Sequence, residues 1–327
     1  MNHLIRLFFK SQLLFFKSQL LIFVILTISA LNALSAEPPP AAKRIVVIDK
    51  AKKDLVLFRN GKEVARFPAA FGIDPDSDKY KALDAATPEG LYFITYKKSK
   101  SRFHRFLGIS YPNLANAARG LAQGVISIED YKRIYRTIQK TGEGPCGTRL
   151  GCGLGIHGGG VFRYFGKARE TDWTEGCIAL NDKDIEKVFN FCRSGDPVIV
   201  FNGRRNLCGI IRPFTQIKIA GETGAPDCPN GVCNYQVEML TSLGRMTVSI
   251  EEGEAVGRSI RVVISEGNAQ EKPLLVLVDR NGDGYLSAMD SISGPIADEK
   301  APDATYRLVR EAVISALSRG EISPYPR

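Results

Sequence analysis

The sequence contains little histidine, and its first 36 residues contain no acidic side chain. Only three histidines occur in 327 residues, and one of them is His3. Acid–base chemistry that depends on histidine is therefore restricted to His104 and His157 if the N-terminal segment is removed. No long low-complexity tract is present and 44% of the residues are hydrophobic, which argues against a disordered chain.

The N-terminal segment 1–36 has the composition of a secretory signal peptide. It has a basic start, an apolar run at 20–30, and a possible cleavage site at the small residues Ala33, Ser35 and Ala36. No cysteine lies near that site, which argues against a lipoprotein signal. We expect cleavage and export to the periplasm or cell envelope of a Gram-negative bacterium. The alternative is an uncleaved anchor, although the apolar run is shorter than the roughly 20 residues that span a bilayer.

Composition divides the rest of the chain into four segments. These are a Pro-rich linker at 37–43, a first folded unit at 44–203, a Cys-containing connector at 204–235 and a second folded unit at 236–327. Without the signal segment and its three basic residues, the formal net charge falls from +9 to +6. Positive charge suits an anionic polymer such as the bacterial cell wall, or it serves solubility alone. Export takes the chain away from nucleic acid, so no nucleic-acid partner is expected.

The first unit is rich in strand patterns. RIVVID at 44–49 predicts a strand, and Asn60-Gly61 between two apolar runs predicts a β-hairpin. Helices are predicted from Ser127 to Lys140, where Ser127 and Asp130 resemble a capping box, and after Asn181.

The second unit combines four predicted strands with one predicted helix. The strands lie at 235–240, 246–250, 260–265 and 274–278, and the helix lies at 303–318. The expected fold class is therefore mostly β with a few helices (α+β): a β-rich first unit and a small α+β second unit.

Seven cysteines are present, which is an odd number, and an oxidising compartment favours disulfides. Six cysteines already permit fifteen connectivities, so proximity in sequence only suggests a pairing. In that pairing Cys177 is the thiol left without a partner. The suggested disulfide candidates are Cys146 with Cys152, Cys228 with Cys233, and Cys192 with Cys208.

Cys177 in TEGCIAL is the candidate nucleophile. Thiol catalysis needs a thiolate, a base and donors for the oxyanion. Cys177 precedes a predicted helix, whose N-terminus would lower the thiol pKa. His157 in GIHGGG is the candidate base, and Gly176 permits a tight turn whose N–H groups face a carbonyl oxygen. A buried, inert cysteine is the alternative.

Together, HGGG at 157–160 and TEGCI at 174–178 resemble the active-site signature of the L,D-transpeptidases, whose catalytic domain is of the YkuD type. The family pattern is His-Gly, a spacer, and Ser/Thr-x-Gly-Cys followed by an aliphatic residue. TPEGLYFI at 87–94 and FHRFLGISYPN at 103–113 are similar to further family segments, the latter to one proteobacterial branch; here a C-terminal extension follows. The resemblance covers about 44–203 and implies a mostly β catalytic domain.

The resemblance also implies roles for the site residues. Cys177 would attack the carbonyl between the third residue, a diamino acid, and the terminal D-alanine of a peptidoglycan stem tetrapeptide. His157 would take and return the proton, and backbone N–H groups around Gly176 and Cys177 would stabilise the oxyanion. An amine acceptor, or water in a hydrolase, would then resolve the thioester. No cofactor is implied for catalysis.

Two positions depart from the family pattern. Many members have His where this chain has Glu175, whose negative charge would oppose thiolate formation. Many also have Arg or Asn where this chain has Ala179, so that substrate contact is either missing or supplied elsewhere, by Arg163 or Arg169. His104 has aromatic neighbours that favour a packed structural role over substrate lining. The candidate substrate contacts are Gly158, Thr174, Glu175, His104 and Arg163.

A second motif, DRNGDGYLSAMD at 279–290, follows the pattern of a calcium loop. Gly284 stands at the sharp turn, and the final ligand is Asp, which binds more weakly than Glu. A predicted strand precedes the loop, so the motif is not a helix–loop–helix pair. We expect a structural Ca²⁺, with a metal-free turn as the alternative. The predicted ligands are Asp279, Asn281, Asp283, Tyr285, Ser287 and Asp290.

Other classes of function remain as alternatives. A wall-binding protein without turnover would keep the same fold, because the Glu175 change affects only the chemistry. A zinc site formed by Cys146, Cys152, His157 and Cys177 is disfavoured, since the spacing fits no familiar zinc pattern. The membrane is a partner only through an uncleaved signal segment.

Overall fold

The computed structural model describes residues 44–214, 219–220, 225–226, 232–253, 256–266 and 272–320. The predicted signal segment and linker lie outside these residues. Cys228 and the side chain of Cys233 also lie outside them, and with them the predicted Cys228–Cys233 disulfide.

The first unit contains ten strands and three helices among the described residues. The strands are β1 (Arg44–Asp49), β2 (Asp54–Arg59), β3 (Lys62–Pro68), β4 (Gly90–Ser101), β5 (His104–Ile109), β6 (Gly155–His157), β7 (Arg163–Phe165), β8 (Ala168–Glu170), β9 (Ile178–Ala179) and β10 (Pro197–Phe201). The helices are α1 (Leu114–Ala122), α2 (Ile128–Thr141) and α3 (Asp182–Phe191).

The connector and the second unit follow in the same described set. They contribute α4 (Leu207–Ile211), a 3-10 turn (Arg212–Phe214), β11 (Ile219–Ala220), β12 (Ala225–Pro226), β13 (Val232–Thr241), β14 (Gly244–Gly253), β15 (Gly257–Ser265), β16 (Leu275–Asp279), β17 (Ser291–Ser293) and α5 (Pro302–Arg319). The fold is mostly β, as the sequence predicted.

An eight-stranded sheet forms the centre of the first unit, in the order β3-β2-β1-β10-β4-β5-β6-β9. The pairs β1–β10 and β6–β9 are parallel, and the other neighbours are antiparallel. The β2–β3 hairpin confirms the Asn60-Gly61 prediction. Asn60 and Gly61 have φ of 52° and 74°, the left-handed values that a tight hairpin turn requires.

The central strands of this sheet are buried on both faces. In β1, Ile45 and Val47 belong to one hydrophobic cluster, and Val46 and Ile48 belong to another. Strand β10 divides its side chains between the same two clusters. Burial on both sides explains why RIVVID and PVIVF are nearly continuous apolar runs rather than alternating ones.

One face of the sheet is covered by α3, through Ile185 and Val188. The other face shares a single core with α4, α5 and the five-stranded sheet β13-β14-β15-β16-β17. In β14 the buried residues Met246, Val248 and Ile250 alternate with more exposed ones, as in a sheet with one face packed. The two predicted units therefore share a core, while the predicted boundaries at 203 and 235 stay predictions.

The cysteines confirm one predicted disulfide and contradict another. Cys146 and Cys152 are bonded, with their Cα atoms 5.1 Å apart. Cys192 and Cys208 are free and buried in different cores, one on each face of the main sheet. The predicted Cys192–Cys208 pair was therefore wrong, because the sheet lies between the two thiols. Cys177 is free as predicted, but cysteine parity does not single it out.

The predicted helices form close to their expected bounds. Ser127 caps α2 by accepting a hydrogen bond from the Asp130 backbone, and α5 extends the predicted 303–318 helix by one residue at each end. Within the described parts of the chain, no helix combines the length and apolarity needed to cross a membrane.

The shared core predicts that a cavity in α5 destabilises the first unit as well. Leu317 is fully buried, so Leu317→Ala should cost about 2–5 kcal/mol of unfolding free energy. Trp173 is the only tryptophan, and its fluorescence during urea unfolding reports on the first unit. The Trp173 midpoint should fall in Leu317→Ala.

Leu308→Ala is the matched control on the same helix. Leu308 is 46% exposed, so its truncation should change the unfolding free energy by less than about 0.5 kcal/mol. If Leu317→Ala destabilises α5 but leaves the urea midpoint of Trp173 fluorescence unchanged, the first unit does not depend on α5 for its stability.

Candidate active site

The candidate nucleophile and base lie on neighbouring parallel strands. His157 is the last residue of β6, and Cys177 immediately precedes β9. Ile156 pairs with Ile178, and His157 pairs with Ala179. Residues twenty apart in the sequence are thus brought to one edge of the main sheet.

The segment that carries Cys177 is held by a second segment, residues 70–74. Ala70 bridges Ala179, and Gly72 bridges Thr174. The Thr174 N–H donates to the Phe71 carbonyl at 3.0 Å. The segment that contains Cys177 is therefore fixed by backbone pairing on both sides of the cysteine, at Thr174 and at Ala179.

Thr174 and Gly176 shape the turn at the nucleophile. The Thr174 hydroxyl donates to the Cys177 carbonyl at 2.7 Å and accepts from the Gly176 N–H at 3.1 Å. Gly176 has φ +122°, and a Cβ there would lie 2.6 Å from the Ala86 carbonyl oxygen, so only glycine fits. Thr174 is buried and acts on the loop, and the Gly176 N–H is already bonded. The predicted oxyanion donors are thereby reduced to the Cys177 N–H.

The groups around Cys177 shift the pKa of its thiol in opposite directions. Burial is the largest influence and raises the pKa of the Cys177 thiol, and the charge of Glu175 raises it further. A hydrogen bond from the Gly155 backbone and the charges of Lys79 and Arg102 lower the pKa. The predicted lowering by a helix dipole was wrong, because β9 separates Cys177 from α3 and a helix dipole acts within the first turn.

His157 is 1% exposed and is oriented by its own neighbour. Its Nδ1 lies 2.6 Å from the Gly158 carbonyl oxygen. A carbonyl can only accept, so Nδ1 carries the hydrogen and Nε2 of the neutral ring is free to take a proton. Burial is the main cause that lowers the pKa of His157, and the positive charges of Arg163 and Arg102 act in the same direction. The ring is therefore a neutral base at pH 7.

Aromatic side chains fix the plane of the His157 ring. Phe103 stacks on it with centroids 4.3 Å apart, and Phe106 lies parallel at 6.1 Å. Trp173 packs at 5.8 Å with a tilted ring and donates from Nε1 to the Gly160 carbonyl at 3.1 Å. The imidazole is held by packing as well as by its hydrogen bond.

Lys79 is a site residue that sequence reasoning missed. It is 3% exposed, its Nζ donates to Asp84 Oδ1 at 2.5 Å, and Nζ lies 3.5 Å from where a Cβ on Gly176 would stand. Asp84 also accepts from the backbone N–H groups of Tyr80, Lys81 and Ala86, which pins the lysine loop. A buried ammonium therefore lies beside the nucleophile loop. A lysine in a polar loop gives no sequence signal of burial.

The other predicted contacts are distributed around the site. Arg163 lies beside it, with the guanidinium 3.8 Å from the Trp173 ring centroid, and Glu175 is exposed. His104 is exposed, with φ +69°, and its Nε2 lies 2.8 Å from Glu186 Oε1. The packed role predicted for His104 was therefore wrong, because its ring points away from the core and pairs with α3.

Gly158 is buried, and it positions His157 instead of forming part of an open substrate surface. Its carbonyl holds His157, and a Cβ on it would lie 2.5 Å from Asp182 Oδ1. The zinc alternative is excluded at this site, because Cys146 and Cys152 are joined in a disulfide and cannot serve as thiolate ligands.

The predicted calcium loop is tied together by its own backbone. Asp279 is buried and accepts from the Gly282 N–H at 2.7 Å and the Gly284 N–H at 3.0 Å. Burial raises the pKa of Asp279, and the charges of Asp283 and Asp290 add to this. No group of three or more His, Cys, Asp or Glu side chains in the described part of the chain is arranged to hold a metal ion.

The main sheet brings a thiol and an imidazole to neighbouring strands of a β-rich domain. Residues 43–200 match the family model of the L,D-transpeptidase catalytic domain, YkuD. This match confirms the resemblance for that part of the chain. No curated protein matches the chain.

Several solved structures are similar to this chain at low identity. L,D-transpeptidase 1 of Mycobacterium tuberculosis is 14% identical over 49% of this chain and 62% of its own, less than two thirds, with a TM-score of 0.28. A Xylanimonas cellulosilytica L,D-transpeptidase is 18% identical over 54% of this chain and 69% of its own, with a TM-score of 0.26. Bdellovibrio bacteriovorus Bd1075 is 14% identical over 69% of this chain and 89% of its own, with a TM-score of 0.31.

Removing the buried charge of Lys79 should make Cys177 harder to ionise. We expect Lys79→Met to move the pH midpoint of Cys177 alkylation by iodoacetamide upward, because a positive neighbour favours the thiolate. Mass spectrometry of the peptide that contains Cys177 measures the rate at each pH.

Lys79→Arg is the matched control, because it keeps the positive charge and should leave the midpoint near the wild-type value. Melting temperatures of both variants separate a charge effect from general loss of structure. Equal midpoints in wild type and in a folded Lys79→Met protein would show that Lys79 does not act on the thiol.

Proposed function

We propose that this chain is an exported cysteine L,D-transpeptidase that acts on peptidoglycan stem peptides through a Cys177 thioester. The observation that carries the proposal is the position and tautomer of His157. Its Nδ1 carries the ring hydrogen, which leaves Nε2 able to accept a proton. His157 also lies on the strand that pairs with the Cys177 segment, within the part of the chain that matches this family.

Acylation begins with a neutral Cys–His pair. As Sγ attacks the carbonyl between the third stem residue and the terminal D-alanine, the thiol proton passes to His157 Nε2. The Cys177 N–H stabilises the oxyanion. When the tetrahedral intermediate collapses, the C–N bond breaks, His157 returns the proton to the leaving amine, and D-alanine departs.

Deacylation repeats these steps in reverse with a new amine. The amine of a second stem, or of a lipoprotein lysine, attacks the thioester while His157 takes its proton, and Sγ leaves as the thiol. The partly exposed Cys177 supports access of an acceptor. If water is the acceptor, the same groups perform peptide hydrolysis.

The two pKa directions favour general-base catalysis over a preformed ion pair. A raised thiol pKa and a lowered imidazole pKa leave both groups uncharged near pH 7. The charge on Sγ then develops only as the proton leaves. The raised thiol pKa is also the observation that supports the alternative, a cell-wall-binding protein without turnover.

Export to the periplasm or envelope places this chemistry at its substrate. The signal-like composition of residues 1–36 and the net charge of +6 after them support that location and a peptidoglycan partner.

The loop at 279–290 is proposed to bind a structural Ca²⁺. Its oxygen side chains stand at the sequence positions that a calcium loop uses. Such an ion would hold the loop beside α4, where Asn206 already donates to the Gly282 carbonyl at 3.1 Å.

Tetrapeptide muropeptides test the reaction. The purified protein should release D-alanine and form cross-linked dimers, both detected by mass spectrometry, and Cys177→Ala should abolish both. A carbapenem should add its mass to wild type but not to Cys177→Ala. Cys208→Ala is the matched control, because Cys208 lies buried on the other face of the sheet and should leave product and adduct unchanged.

The possible results of that experiment distinguish the transpeptidase from its alternatives. D-alanine loss without dimers would identify a hydrolase. A wild-type protein that gives neither product nor adduct would be a wall-binding protein, and products from Cys177→Ala would refute the nucleophile.

Calcium removal tests the loop. With millimolar Ca²⁺ the melting temperature should rise by about 2–4 °C over the value in EDTA, since a ligand that binds only the folded state stabilises it. Asp283→Asn removes one negative charge from the ligand set and should reduce the shift. Equal melting temperatures in Ca²⁺ and EDTA would count against a bound ion.

A further inference from the structure

Two arginine side chains lie beside the catalytic pair. Arg102 precedes β5 and Arg163 begins β7, and their guanidinium carbons lie 4.7 Å and 5.5 Å from the ring centroid of Phe103. Phe103 in turn stacks on His157 with centroids 4.3 Å apart. Arg163 also lies over Trp173, at 3.8 Å from its ring centroid. Only one aromatic ring therefore separates each cation from the base.

Aromatic rings, and not acids, are the partners of these two arginines within the described part of the chain. Glu170 stands opposite Arg163 in the β7–β8 pairing but forms no ion pair with it. Glu175, the acid beside the thiol, is exposed and forms no ion pair with either arginine. A guanidinium that lies over a ring keeps the N–H groups at its edge, so both side chains can still donate to a ligand.

Both arginines are open to solvent and act on the reacting groups. Arg102 is exposed and Arg163 is partly exposed, so a ligand can reach them. Their positive charges lower the pKa of His157, and the charge of Arg102 also lowers the pKa of the Cys177 thiol. An anion held by the two arginines would therefore lie within electrostatic reach of the catalytic pair.

The direction of proton transfer in the proposed reaction brings a carboxylate to this side of the site. His157 returns its proton to the leaving nitrogen, so the leaving residue departs on the His157 side of Sγ. The α-carboxylate of that residue is only two bonds from the nitrogen. Carboxylates elsewhere in the stem belong to the acyl part, which stays bonded to Sγ.

We propose that Arg102 and Arg163 bind the free α-carboxylate of the leaving residue and thereby restrict the reaction to the terminal bond of a stem peptide. This specificity rests on the proposed transpeptidase function. The N–H fork of a guanidinium matches the two oxygens of a carboxylate. One more residue on the leaving side would carry the carboxylate about 3.5 Å further along the chain, and an amide end would remove its charge. Either change leaves both cations without an anion.

Isothermal titration of the full chain carrying Cys177→Ala tests the proposal, because this variant binds peptides without turnover. The probes are a stem tetrapeptide with a free terminal carboxylate and the same peptide with a terminal carboxamide, which differ in that one group. We expect the acid to bind about tenfold more tightly than the amide. A stem pentapeptide should bind as weakly as the amide.

Substitution of either arginine should remove most of this preference. Arg102→Gln and Arg163→Gln, each added to Cys177→Ala, should weaken binding of the acid and leave the Kd of the amide unchanged. Arg163→Lys keeps the charge but not the fork, so it should retain part of the preference. Melting temperatures of the variants show whether they remain folded.

Arg307→Gln is the matched control, because it removes an exposed arginine from α5 and should leave the preference for the acid unchanged. The carboxylate subsite is refuted if acid and amide bind equally, if the preference survives both Gln substitutions, or if Arg307→Gln has as large an effect. D-alanine release by the wild-type protein separates this failure from failure of the proposed function. Release together with equal Kd values refutes the subsite alone, whereas absence of both release and binding refutes the transpeptidase as well.

Discussion

Burial of β1 and β10 on both faces is the constraint on which the rest of the structure depends. A strand with apolar side chains on both sides needs a packed layer above and below the sheet. Helix α3 contributes to one layer, and α4, α5 and the second sheet form the other. The active-site edge of the same sheet is thereby attached to a scaffold that includes residues far beyond the catalytic domain.

Desolvation is the main influence on the protonation of the two groups at that edge. It acts on Cys177 and His157 in opposite directions, raising the pKa of the acid and lowering the pKa of the base, and each shift favours the uncharged form. Nearby cations lower the thiol pKa only in part, and Glu175 opposes them. Glu175, where this chain departs from the family pattern, therefore raises the pKa of the Cys177 thiol by less than burial does.

Local patterns predicted local structure well. The Asn60-Gly61 hairpin, the Ser127 cap and α5 follow from signals that short stretches of chain contain. The placing of His157 and Cys177 in one site followed from the scarcity of histidine and from the family resemblance, because periodicity does not say which short strands become neighbours. Contacts between residues far apart in the sequence were missed, above all the contact of the buried Lys79 with the Gly176 loop. Proximity in sequence likewise misjudged Cys192 and Cys208, which the sheet separates.

The position of α5 in the chain has a consequence for biosynthesis. Strand β1 is among the first described elements to be made, and α5, which covers one of its faces, is the last. A growing chain therefore carries this apolar sheet face only partly covered until α5 has been made. Chaperone binding or delayed collapse would protect that face until α5 emerges.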